Sequence, residues 1–92
     1  MPAPRKFRSV WDALEDDPVR VRNLKLRSEL MIRINSELAT LELTQTQAAE
    51  LLHLTQPRVS ALLRGKIEDF RLDSLVDIAH RLGLSVELSV AA

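Results

Sequence analysis

Ninety-two residues make room for one small domain, and a chain this short buries only about 60–65% of the surface its unfolded form exposes. Hydrophobic residues make up 46%, charged residues 28% and aromatic residues 3% of the sequence, a globular composition that leans helical because Leu and Ala prevail over Val, Ile, Phe and Tyr. Thirteen Lys and Arg balance thirteen Asp and Glu, which excludes a polybasic protein holding nucleic acid by bulk charge, and the absence of Cys excludes disulfides, thiolate zinc sites and cysteine catalysis.

Residues 1–8 carry two prolines and three basic residues and are expected to form a flexible basic arm. No apolar core of a leader peptide follows them, and no run approaches the ~18 apolar residues of a membrane span, so the expectation is a soluble cytoplasmic protein. Residues 9–42 hold N-terminal helices. Ser9 caps a short one whose apolar stripe is Val10, Trp11 and Leu14. Asp17 before Pro18 signals the start of a long one reaching about Leu41. Val21, Leu24, Leu30, Met31, Ile34, Leu38 and Leu41 recur along it at helical spacing.

Residues 43–83 form the core of the domain. Thr44 and Gln47 make a capping box for a helix that runs through Leu52. His53 and Leu54 leave space only for a tight turn. Thr55 caps the next helix, Pro57 fits its first turn, and Gly65 suits the left-handed position just past its end. Residues 66–71 read as a loop. Residues 73–82 then form a helix with Leu72, Leu75, Val76, Ala79 and Leu82 on one face. From Leu84 to Val90 apolar and polar residues alternate strictly, which is strand period.

Two short helices joined by a tight turn in a small helical domain are the helix-turn-helix plan. In that plan Leu52, Leu54, Val59 and Leu62 fall inside and Ala49 allows the close crossing. Gln45, Gln56, Arg58, Ser60, Ala61 and Arg64 fall outside, with Thr55 at the amino end. Outward Gln and Arg suit base edges, since Gln bonds adenine and Arg bonds guanine in bidentate fashion. A capped helix start favours a phosphate. From Gln45 to Lys66 the charged residues are Arg58, Arg64 and Lys66 against Glu50 alone, so overall neutrality conceals a positive face.

The run Leu43-Thr-Gln-Thr-Gln-Ala-Ala-Glu-Leu-Leu-His-Leu-Thr-Gln-Pro-Arg-Val-Ser-Ala-Leu-Leu-Arg-Gly-Lys66 closely resembles the helix-turn-helix of the Cro/C1 (XRE) repressor family. Leu72-Asp-Ser-Leu-Val-Asp-Ile-Ala-His-Arg-Leu-Gly-Leu84 is similar to the helix that follows it in that fold. Ser9-Val-Trp-Asp-Ala-Leu-Glu-Asp16 and Leu24-Lys-Leu-Arg-Ser-Glu-Leu-Met31 resemble the HigA-type antitoxin branch. The resemblance implies an all-α fold, a small helical bundle of the phage-repressor helix-turn-helix type, and a dimer on a palindromic operator in double-stranded DNA. It implies base contacts at Gln56, Pro57, Arg58 and Ala61 and phosphate contacts at Gln45, Thr55, Ser60, Arg64 and Lys66. Ala61 could touch only a thymine methyl, so specificity falls to Gln56 and Arg58. The family commonly has Gly where this chain has His53, and a left-handed non-Gly residue costs on the order of 1 kcal/mol.

A lone strand leaves half its backbone groups unpaired. Residues 84–92 are therefore expected to pair with another chain. Leu84, Val86, Leu88 and Val90 would line an antiparallel ribbon between two copies; a toxin's sheet edge is the other partner. The basic set Arg20, Arg22, Lys25, Arg27 and Arg33 reads as a solvated helix face, with DNA or toxin contact left open. Trp11 reads as a core anchor or as part of a partner patch. His53 and His80 lack partners at metal-ligand spacing, Ser, His and Asp form no triad, and Glu68-Asp69 show no pocket. The function expected is that of a DNA-binding repressor, the antitoxin of a type II toxin–antitoxin operon that neutralises a RelE-like toxin, without cofactor or catalysis. A stand-alone XRE-type regulator and a protein-interaction module that has lost DNA binding are the alternatives.

Overall fold

The structure, a computed structural model, describes residues 17–92. The expected basic arm over residues 1–8, the short helix capped by Ser9 and the two roles of Trp11 lie outside the described residues.

Helix α1 (Pro18–Leu41) is the scaffold. Its 24 residues extend about 36 Å at ~1.5 Å per residue. The Asp17 carboxylate accepts from the Val19 and Arg20 N–H groups at 3.2 and 3.3 Å, satisfying two donors that have no partner inside the helix. Leu24, Met31, Ile34 and Leu38 are buried, a stripe at spacings of seven, three and four. Leu41, expected on the stripe, is exposed, because the chain turns away at Glu42, whose φ of 52° is left-handed.

Helices α2 (Gln45–Leu52) and α3 (Gln56–Leu63) follow, then a 3-10 turn (Ile67–Asp69) and α4 (Leu72–Arg81). Helix α4 packs chiefly on α1, and α2 chiefly on α3. The core joins Met31, Ile34 and Leu38 to Ala48, Leu52, Val59, Leu62, Phe70, Leu75, Ile78 and Ala79. Each fully buried Leu, Ile, Met or Phe in such a core stabilises by roughly 1.5–3 kcal/mol.

This packing adds to the expectations in three places. The stripe of α4 is centred on Leu75, Ile78 and Ala79, with Leu72, Val76 and Leu82 only half-buried; Ile78 was absent from the expected face. Ala48 is buried in the core, and its neighbour Ala49, expected at the close crossing, is half-buried and packs against that core. The segment expected to be a polar loop contributes Phe70, which is 0% exposed.

Among the described residues no strand forms. The expected strand residues divide instead. Leu84 and Val86 pack against this chain's own core, whereas Leu88 and Val90 are 90% and 84% exposed. A strand is defined by hydrogen bonds to a neighbour, and the other described elements are helical, so the described residues supply none.

Candidate nucleic-acid interface

The starts of α2 and α3 are built by the same local device. At α2 the Thr44 hydroxyl accepts from the Gln47 N–H at 3.1 Å, and the Gln47 side-chain oxygen accepts from the Thr44 N–H at 3.0 Å. This capping box occupies the Gln47 carbonyl and leaves Gln45 and Thr46 exposed in the first turn. At α3 the Thr55 hydroxyl accepts from the Arg58 N–H at 3.3 Å. Pro57 follows, where its missing N–H costs nothing.

Between the helices His53 adopts φ 58° and ψ 44°. The left-handed turn implied by the sequence therefore forms without glycine. The Ala49 carbonyl accepts from the N–H groups of both His53 and Leu54, which closes α2 and aims the chain into α3. Gly65, with φ 76°, ends α3 as expected.

One contact ties the two starts together. Gln56 Nε2 donates to Thr46 Oγ1 at 3.2 Å, across ten residues of sequence. The Gln56 amide keeps one N–H and its carbonyl oxygen free of that bond. Those are the donor and the acceptor that adenine N7 and N6 require. Thr46 was not among the expected site residues. Its place beside Gln45 in an exposed first turn is a signal in the sequence, but its meeting with Gln56 depends on the turn geometry.

The other expected residues fall into distinct places. Gln45, Thr55, Gln56, Pro57, Arg64 and Lys66 are exposed, and Ser60 is half-buried. Arg64 folds back, its Nε 3.4 Å from the Ser60 carbonyl. Ala61 departs from the expectation: it is 7% exposed and belongs to the core. Next to Leu62 at the boundary of the buried face, its methyl is covered by the core.

Arg58 is half-buried and engaged within the protein. Its Nη1 donates to the Asp69 carbonyl at 2.6 Å, and its guanidinium carbon lies 4.1 Å from the centre of the Phe70 ring. Of the basic set on α1, Arg27 donates from Nη1 to the Phe70 carbonyl at 3.2 Å and from Nε to Asn23 Oδ1 at 2.6 Å. Arg20 stands 3.9 Å from Glu68. Arg22, Lys25 and Arg33 are exposed. The set is thus part support and part solvated face.

At the far end of α3, Asn35 Nδ2 on α1 donates to the Leu62 carbonyl at 2.9 Å, which also accepts from the Gly65 N–H at 3.1 Å, so the helix end is held both from within and from α1. Helices α2 and α3 form two capped units related by a fixed turn, with one exposed rim of polar side chains at their starts.

A family model described as a helix-turn-helix domain matches residues 13–91. The chain belongs to that family. None of the curated proteins matches it. In the helix-turn-helix plan α2 and α3 are the two helices joined by the turn. The match stands at the level of the domain and is coarser than the HigA-type branch. Among the described residues no helix is long and apolar enough to cross a membrane, and no three His, Asp or Glu residues gather where they could hold a metal ion.

Proposed function

We propose that this helix-turn-helix domain is a sequence-specific DNA-binding repressor, acting as a dimer on a palindromic operator. The Gln56–Thr46 bond carries the reading. It fixes a glutamine amide at the exposed start of the recognition helix, with one donor and one acceptor left for a base edge. An eight-residue α3 is about 12 Å long, close to the ~12 Å width of the major groove. Gln45 at the start of α2, Thr55 at the start of α3 and Arg64 and Lys66 beyond its end then reach the phosphates on either side.

The exposed Leu88 and Val90 support a second copy as the partner of residues 84–92. Antiparallel self-pairing gives the twofold axis that a palindrome demands. The finer role, the antitoxin of a type II toxin–antitoxin operon that represses its own promoter and neutralises a RelE-like toxin in the cytoplasm, rests on the resemblance of residues 9–31 to the HigA-type branch. In that role the chain needs no cofactor and performs no catalysis.

The experiment is a gel-shift titration against the DNA upstream of the chain's own reading frame, with scrambled DNA as control, at ~150 mM salt. Preference of at least ~10³-fold for the upstream DNA is expected; equal binding to both sinks the proposal. Gln56→Ala should weaken operator binding by ~1–3 kcal/mol and relax the sequence preference. Arg64→Ala should weaken binding to all sequences and lower the salt slope by about 1.

A further inference from the structure

We infer that Arg58 is a positioning residue that sets the recognition helix against the 67–71 segment, and that it does not read bases; the inference rests on the DNA-binding reading above. Arg58 occupies the third position of α3, facing the segment that follows the helix rather than the rim formed by Gln56 and Thr46. The face of its guanidinium and one arm of its donor fork are in use. The flat face of the guanidinium covers the Phe70 ring at 4.1 Å, and Nη1 holds the Asp69 carbonyl at 2.6 Å. A bidentate bond to guanine requires the same planar fork, extended and free.

The segment it grips is itself anchored elsewhere. Phe70 is fully buried, and its carbonyl accepts from Arg27 on α1 at 3.2 Å. Arg58 therefore transmits a position fixed by α1 and the core to the start of α3. Thr46 then orients the Gln56 amide on that start. One arginine places the helix and one glutamine reads from it, so base recognition does not require Arg58 to leave Phe70.

The test begins with duplexes of about 20 bp, enough for two half-sites one turn apart, selected from a random library by the full chain. Wild type, Arg58→Ala, Arg58→Lys and Gln56→Ala are titrated against the enriched duplex and its single-base variants at several salt concentrations. The measurements are made well below the melting temperature that circular dichroism gives for each variant. Arg58→Ala and Arg58→Lys should both lose at least about tenfold in affinity, since a reading group tolerates only ~0.5 Å of displacement. Their order of base preference and their salt slope should match wild type, while Gln56→Ala loses preference at one base pair.

Loss confined to one base pair in Arg58→Ala would make Arg58 a base reader and overturn the inference. So would rescue by Lys together with a slope lower by about 1 in Arg58→Ala, the mark of a phosphate contact. Unmoved affinity in the folded variants would overturn the inference as well, since a residue that positions the reading helix cannot be lost without cost to binding. In wild type, magnetisation transfer between the Arg58 side chain and the Phe70 ring should persist when the enriched duplex is added, a readout that does not depend on any variant folding. A wild-type chain that enriches no duplex overturns the DNA-binding reading, and this inference with it.

Discussion

The recognition helix is held by two different kinds of contact. Its beginning is set by sequence neighbours: Thr55 caps the Arg58 N–H three residues on, and Pro57 is set in the first turn. Its placement comes from far away. Asn35 reaches the Leu62 carbonyl across 27 residues, Arg58 reaches Asp69 across 11, and Arg27 fixes Phe70 across 43. Local contacts decide that there is a helix and where it begins. Long-range contacts decide where it points, which is the property a DNA-reading helix depends on.

Four substitutions break or sharpen that contrast. Phe70→Ala removes the ring beneath Arg58 and should cost about 3–5 kcal/mol, read as a fall in the denaturation midpoint; a cost under ~1 kcal/mol would mean that the placement of α3 is not held by this ring. Asn35→Asp places an acceptor against the Leu62 carbonyl. It should destabilise by about 1–3 kcal/mol, and urea unfolding measures it; a neutral effect would remove Asn35 from the set that positions α3. Thr55→Ala at the local end should cost about 1 kcal/mol, with amide exchange speeding up at Arg58 and its neighbours while the 67–71 segment stays protected. Exchange rising equally at both ends would erase the distinction. His53→Gly relieves a left-handed residue at roughly 1–2 kcal/mol and returns part of that as freedom of the unfolded chain, for a net gain of about 0.5–1 kcal/mol. A thermal melt should then rise by a few degrees, and a fall would show that the histidine side chain contributes something the backbone angle does not reveal.

The same division explains what the sequence made legible. The capping box at Thr44 and Gln47, the Thr55 cap, the left-handed His53 and the Gly65 stop all follow from residues within a few positions of one another, and each is present. Leu52, Val59 and Leu62 were placed inside by their spacing, and they are buried. Phe70 escaped because it and Ile67 are the only apolar residues of a charged segment too short to show a periodicity; its burial depends on the packing of the helices around it. Ala61 was misplaced because a two-faced reading of an eight-residue helix treats the boundary between faces as a line, and a single methyl at that boundary goes to whichever side has space. The Gln56–Thr46 bond joins two exposed polar residues that no hydrophobic pattern links. Resemblance to a family carried the expected roles of Arg64 and Lys66, for which composition offered only their charge.

Glu42 and His53 stand on either side of α2, both left-handed and neither glycine, with φ of 52° and 58°. A helix of eight residues is also far shorter than the ~12–15 that survive alone in water. Packing of Ala48 and Leu52 into the core must offset both costs. Thermal fluctuation should therefore open α2 before α1 or α4, and its amides should be the first among the helices to exchange with solvent. Since Thr46 lies on α2, each such opening releases Gln56, and DNA that engages both residues would close the segment and slow that exchange.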